Sequence, residues 1–159
     1  MVGVQPGVTV VTEFLERQGI PYEVVEHERT QTAAAEARAA GVPAADVAKT
    51  IVLRDEEGLR LAVIPASERL DMHKLKHALA SKGLRLVTEQ EMADEFDEFE
   101  VGAVPPFGSM FDALELVDER LLEHDRILCS GGDHEHAVLV DPRDVVRAGE
   151  ARVVDICEG

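Results

Sequence analysis

Lys49 stands alone at the mouth of an apolar, β-branched run, Val47-Ala48-Lys49-Thr50-Ile51-Val52-Leu53-Arg54. Ile51, Val52 and Leu53 read as a buried strand, so the lysine sits where the backbone enters the core. Its ammonium must therefore reach water, a counter-charge or a ligand. A strand-end lysine that lays its stem along apolar surface and keeps its head in solvent satisfies the same pattern. Two glycine-bearing segments change its company: Val101-Gly102-Ala103-Val104-Pro105-Pro106-Phe107-Gly108 and Cys129-Ser130-Gly131-Gly132. Both read as loops that offer bare backbone groups, and a cation beside bare backbone suits an anionic or carbonyl-bearing ligand. Taken singly, Gly102 is also no more than a turn, and Pro105-Pro106 a rigid exit from it.

The histidines raise the question of a metal. His73 and His77 are four apart on a predicted helix, the spacing of a metal clip. They lie opposite Leu75 and Leu79 and beside Lys74 and Lys76, whose charge repels a cation, so solvent-facing histidines account for them better. In Asp133-His134-Glu135-His136, His134 and His136 can share one face of a strand, but no third ligand has a known position. A polar turn leading into a strand explains the segment equally. No metal or other cofactor is expected. G-x-S-x-G, G-x-x-x-x-G-K-[ST] and a strand-borne G-x-G-x-x-G are all missing, so a standard triad or nucleotide loop has no support. Cys129 and Cys157 form no close-spaced motif, which favours reduced, partly buried thiols.

The elements that must position these residues follow from local signals. Thr9 is expected to cap a first helix that Gly19 stops, and Tyr22 to Val25 alternates as a short strand. Residues 33 to 40 read as a helix ended by Gly41, and Pro43 opens the turn that delivers Lys49. Segments 49–54 and 59–65 read as an antiparallel hairpin across Asp55-Glu56-Glu57-Gly58, with a loop longer than the two-residue type. Asp71 is placed as the cap of a helix that Gly83 closes, and Thr88-x-x-Glu91 has the form of a capping box. Strands are expected at 84–87, 114–117, 126–129, 136–140 and 152–156, with Asp141-Pro142 opening a last helix that Gly149 stops. The interleaving lacks a regular βαβ repeat. The class is α+β with a mixed sheet.

The chain is 159 residues long and suits one domain, 1–159, with a core built from Val, Leu, Ile and Ala, since it holds no Trp and one Tyr. Scarce aromatics argue against a stacking platform for single-stranded nucleic acid. No apolar run reaches membrane-span length and the N-terminus lacks a basic start with a long apolar segment, so a cytoplasmic protein without membrane contact is expected. The net charge of −16 argues against holding nucleic acid by electrostatics alone. Its distribution is uneven: residues 49–85 carry eight Lys/Arg against five Asp/Glu, whereas 86–125 carry 13 Asp/Glu and only Arg120. A weakly basic face on an acidic body and ordinary solvated decoration both fit.

Ala48-Lys49-Thr50-Ile51-Val52-Leu53, Val63-Ile64-Pro65-Ala66 with Leu70-Asp71-x-x-Lys74-Leu75, Gly102 to Gly108, and Ser130-Gly131-Gly132, in this order and spacing, strongly resemble the YbaK/EbsC family. These are free-standing relatives of the editing domain inserted in bacterial prolyl-tRNA synthetases, and the resemblance runs from about Val8 to Cys157. It implies a mixed, mostly antiparallel sheet curled into a partial barrel and flanked by helices. It also implies hydrolysis of a wrongly attached amino acid from tRNA, without a metal. Lys49 matches the essential lysine, and Gly102 to Pro106 the G-x-x-x-P loop that bounds the pocket. The resemblance further places Tyr22, Thr32, Thr50, Phe107, Ser130, Gly131, Gly132 and His136 on the substrate side. The implied partners are the aminoacyl-tRNA acceptor end and, as a further candidate, an aminoacyl-tRNA synthetase. Oligomeric state stays open. Asp133 to His136 fits only a subset of the family, so substrate preference does not carry over. A non-catalytic aminoacyl- or nucleotide-binding module that recruits a synthetase, and a metal hydrolase built on His134 and His136, stand as alternatives.

Overall fold

The computed structural model describes residues 7–159; the expectation about the charge of the N-terminal start concerns residues outside them. In chain order the elements are α1 (Gly7–Arg17), β1 (Glu23–Glu26), α2 (Ala33–Ala40), β2 (Ala48–Asp55), β3 (Gly58–Pro65), α3 (Met72–Leu79) and β4 (Arg85–Leu86). There follow α4 (Glu89–Glu95), β5 (Leu114–Asp118), β6 (Ile127–Ser130), β7 (His136–Val140), α5 (Pro142–Gly149) and β8 (Arg152–Val154).

The β2–β3 hairpin is apolar almost without interruption because both of its faces are covered. Leu61 and Val63 point into the main core with Val11, Leu15 and Phe107, while Ala62 and Ile64 meet Leu75 of α3 on the other side. The hairpin lies within a five-stranded sheet of order β4-β2-β3-β5-β8, in which β3–β5 and β5–β8 run parallel and the other pairs antiparallel. A second, antiparallel sheet has the order β1-β7-β6. The two meet at a single parallel bridge between Val47 and Leu128. The mixed α+β architecture is as expected, with the curl realised as two sheets joined at a seam and not closed into a barrel. No helix among the described residues is long and apolar enough to cross a membrane.

Local chemistry places several boundaries differently. Thr9 lies inside the first turn of α1 and does not cap it. The hairpin loop is the two-residue type after all, since Asp55 pairs with Gly58. Asp55 makes this possible: its Oδ1 accepts from the N–H groups of Glu57 and Gly58, while Oδ2 receives Ser81 Oγ at 2.6 Å and Arg60 Nε at 3.0 Å. α3 is capped by Ala80, well before Gly83, and α5, whose last residue is Gly149, is capped by Glu150. Each of these capping residues takes a left-handed φ, 49° and 53°, and its N–H reaches back to the last turn.

One buried group bears on stability. Glu115 on β5 is wholly buried; its Oε1 accepts from the Gly108 N–H at 2.6 Å and its Oε2 has no partner. The niche exists because Gly108 and Gly149 lack side chains: a Cβ on Gly149 would stand 2.8 Å from Glu115 Oε1. Burial pushes this carboxyl up to about 8, against the opposing pull of the Gly108 N–H. The folded protein therefore holds a proton that the unfolded chain releases in the ordinary carboxylate range. The resulting stabilisation is complete below that range and is lost as pH rises to about 8. Denaturant unfolding of wild type and Glu115→Gln between pH 5 and 9 should show the difference between them moving in favour of the glutamine variant as pH rises. The expected change is on the order of several kcal/mol. A constant difference would show that Glu115 is ionised throughout.

Candidate functional site

A cleft of about 260 Å³ opens beside the seam between the sheets. Its walls are residues 30–34 with Glu36, residues 48–50 with Ala66, residues 102–104, and Ser130, Asp133 and His134. Ligand pockets run about 300–1,000 Å³. The space thus suits a small group better than a whole nucleotide.

Three loops form the rim, and hydrogen bonds stitch them together. The His27 N–H donates to the Glu135 carbonyl at 2.9 Å, the Thr30 N–H to that of His134 at 3.0 Å, and the Glu100 N–H to that of Gly132 at 3.0 Å. Ser130 Oγ donates to the Ala103 carbonyl at 2.7 Å, tying the end of β6 to the 102–104 segment. Arg29 joins Glu100 and Glu135 across the outside, and its guanidinium holds the Glu100 carboxyl below its ordinary range. Gly102, at φ +85°, turns the chain under His134, whose Nε2 lies 2.7 Å from the Val101 carbonyl. Because a carbonyl only accepts, that nitrogen carries the proton.

Of the residues singled out in the sequence, Lys49, Thr50, Thr32, Gly102 and Ser130 line this cleft. Lys49 is exposed and makes no ion pair with any described residue. Thr50 Oγ1 is buried without a hydrogen-bond partner. The Thr32 hydroxyl caps α2 by accepting from the Ala35 N–H at 3.0 Å.

His134 lines the cleft too, whereas Tyr22, Pro106, Phe107, Gly131, Gly132 and His136 are not among its walls. Tyr22 donates to Glu16 and lies in a separate depression with Pro21 and Arg126. Pro106 and Phe107 are buried, and the Phe107 ring packs against Phe14 with centroids 5.3 Å apart, so this half of the glycine-proline loop anchors in the core. Gly131 and Gly132 serve close backbone passage. A Cβ on Gly132, itself at φ +94°, would meet the Gly7 carbonyl oxygen at 2.7 Å. His136 turns to Asp133 at 2.9 Å while His134 turns to Val101, so the two imidazoles do not converge. No cluster of three or more His, Cys, Asp or Glu suited to a metal occurs among the described residues.

Sequence reasoning passed over Glu36 and His27. Glu36 lies in the cleft wall, its Oε2 3.0 Å from Nε2 of a His27 whose side chain is wholly buried. Burial raises the Glu36 carboxyl above its ordinary range, with His27 opposing. The signal was present: Glu36 falls on the helix face of Ala33, Ala37 and Ala40, a carboxylate on the apolar stripe of an alanine-rich helix.

Half of the cations in the basic segment are paired. Arg54 pairs with Glu95, Arg60 with Asp55, Lys74 with Asp155, and Arg85 with a Glu91 that the guanidinium pulls down to about 2. Arg69, Lys76 and Lys82 are exposed and pair with no described residue.

The sequence pattern of the aminoacyl-tRNA editing domain matches residues 27–148, which hold every wall of the cleft. The chain belongs to the aminoacyl-tRNA editing domain family. The YbaK-type resemblance is thereby established. Among solved structures, the fold is similar to a protein described as a proposed trans-editing enzyme for prolyl-tRNA synthetase. That pair shares 28% identity and a TM-score of 0.87 over 99% of this chain and 100% of the other. Hypothetical protein APE2540 is 28% identical with a TM-score of 0.83, over 93% of this chain and 99% of that one. A scaffold used for computational epitope backbone grafting is 26% identical with a TM-score of 0.86, over 98% and 99%. No curated protein matches the sequence.

Phe107 separates a core role from a ligand-binding one. Phe107→Ala should cost about 3–5 kcal/mol in denaturant unfolding, the penalty of emptying a packed aromatic site. A variant as stable as wild type but with raised KM would return Phe107 to the substrate wall.

Proposed function

We propose that this protein is a trans-editing deacylase, an ester hydrolase that removes a small amino acid such as alanine or cysteine from a wrongly charged tRNA. The observation that carries the reading is Lys49: an ammonium free of any ion pair with the described residues, at a strand end, in a cleft rimmed by three mutually hydrogen-bonded loops. Family membership supports the substrate class.

An aminoacyl ester is already activated, so the site must position a water and stabilise developing charge without a covalent nucleophile. The Lys49 ammonium holds the terminal phosphate or the ester carbonyl, and backbone groups of the 102–104 segment orient the acyl group. Water adds to the carbonyl carbon, the adjacent ribose hydroxyl assisting its deprotonation. The ester C–O bond then breaks, and the departing ribose oxygen takes up the proton. The amino acid enters the cleft, with the terminal nucleotide at its rim.

A panel of mischarged tRNAs, assayed with and without EDTA, tests this. Lys49→Ala should lose at least about 10²-fold in kcat/KM, the scale of removing one oxyanion-stabilising donor, with little change in stability because the side chain is exposed. Lys49→Arg should fail as well, since a planar fork does not replace a compact ammonium. Turnover should survive the chelator. An alanine variant within a few-fold of wild type would remove Lys49 from the chemistry. Wild type that binds but hydrolyses nothing would make the protein a binding module.

Binding of tRNA by so acidic a chain must use cations not already paired. Lys74 is engaged with Asp155 and with the Cys157 carbonyl at 2.8 Å, so it ties α3 to the C-terminal segment. Arg69 and Lys76 are among the exposed cations that pair with no described residue. Arg69→Glu/Lys76→Glu should raise KM more than it lowers kcat, and should reduce the slope of log K against log salt by about two. An unchanged slope would point to recruitment by a synthetase.

A further inference from the structure

An ammonium and a carboxyl group line the same cleft without meeting. Lys49 forms no ion pair with any described residue, and the Glu36 carboxylate pairs only with His27. A cavity that keeps an ammonium and a carboxylate apart matches a ligand with an anion at one end and a cation at the other. The aminoacyl end of tRNA is such a ligand, with a phosphate on one side of the ester and an α-ammonium on the other.

The second carboxylate in the wall, Asp133, is already occupied. Its Oδ1 accepts from the N–H groups of Glu135 and His136, both at 2.8 Å, and His136 Nδ1 lies 2.9 Å from each of its oxygens. Glu36 differs. His27 Nδ1 is 2.7 Å from the Glu28 carbonyl and so must carry a proton there, which leaves Nε2 to bond Glu36 Oε2 at 3.0 Å. The imidazole is thus clamped at both nitrogens and fixes the carboxylate on the buried face of α2. Glu36 Oε1 bonds to no described residue.

We propose that Glu36, oriented by His27, receives the α-ammonium of the aminoacyl group and so reads that the substrate is an unmodified amino acid; this deepens the deacylase reading and rests on it. His27 and Glu36 share one proton across their hydrogen bond. An approaching ammonium draws that proton fully onto His27 Nε2 and leaves a carboxylate facing the ligand, with no net change in protons. His27 is the positioning residue and Glu36 the one that touches substrate. An acylated α-nitrogen carries no charge for this group.

The test uses the full chain and the aminoacyl-tRNA it hydrolyses best from the mischarged panel, beside the same tRNA with its α-amine acetylated. Each rate is divided by the spontaneous hydrolysis of that ester. Wild type should favour the free amine by roughly 10- to 100-fold, the range of a charge-assisted hydrogen bond. Glu36→Gln should bring the preference to within about 3-fold, and Glu36→Asp should keep part of it. Because both substrates meet the same preparation, the ratio is insensitive to the fraction of folded protein. A preference of wild-type size in Glu36→Gln would overturn the assignment, as would wild type that hydrolyses both substrates equally well. Wild type that hydrolyses no member of the panel would overturn the deacylase reading, and this inference with it.

Discussion

Val47, just ahead of β2, is where the two sheets touch. Its carbonyl accepts from the Ala66 N–H at 2.8 Å on the side of the β2–β3 hairpin, and it bridges in parallel to Leu128 of β6 on the other. It is wholly buried, as is Leu128 within 1%. Beyond this point the sheets part, and the backbone groups that would have continued the ladder must find other partners. Ala48, Lys49 and Thr50 are the first residues of β2 and stand at the opening. The loops that close it, 27–32, 100–104 and 130–135, bond to one another instead of extending a sheet. The cleft is thus the place where two sheets stop pairing.

Charge follows the same economy. The basic stretch around β2, β3 and β4 and the acidic stretch after it look like opposing patches in the chain, yet they fold onto each other. Arg54 meets Glu95 and Arg85 meets Glu91, so α4 neutralises the strands it covers. Such exposed pairs contribute little stability individually. Their consequence is functional: the charges left without an opposite partner include Lys49, in the cleft itself. An acidic protein can then hold an anionic substrate locally without a broad basic face, at the cost of weak long-range attraction.

Much of the fold was legible because it obeys short-range rules. Asp71 accepts from the N–H groups of His73 and Lys74, Thr88 and Glu91 form the reciprocal capping box, and Asp141-Pro142 opens α5, all readable over four residues. Gly41 stops α2 for the same reason. Misplaced boundaries arose where an unusual residue took the left-handed position, as Ala80 and Glu150 do, or where one side chain organised a turn, as Asp55 does. The candidate site was half legible. Lys49, Thr50, Gly102 and Ser130 sit in runs whose pattern announces them. Phe107 and His136 sit in the same runs, but only the folded chain shows that Phe14 packs on the one and Asp133 holds the other. Glu36 needed the opposite insight, that a polar residue on an apolar stripe has a partner, and its partner lies nine residues away in a loop. Glu115 is beyond any local rule, because its niche needs Gly149, far along the chain, as well as the nearer Gly108.

The central claim is that the aminoacyl end enters the cleft beside the seam and nowhere else. Hydrogen exchange, followed with and without a saturating non-hydrolysable analogue in which an amide replaces the ester of an aminoacyl-adenosine, tests it most directly. The account predicts added protection confined to residues 30–36, 48–50, 102–104 and 130–134, with the Pro21–Tyr22 depression unaffected. Protection centred on Tyr22 and Arg126, or spread over α3 with the cleft amides unchanged, would contradict it.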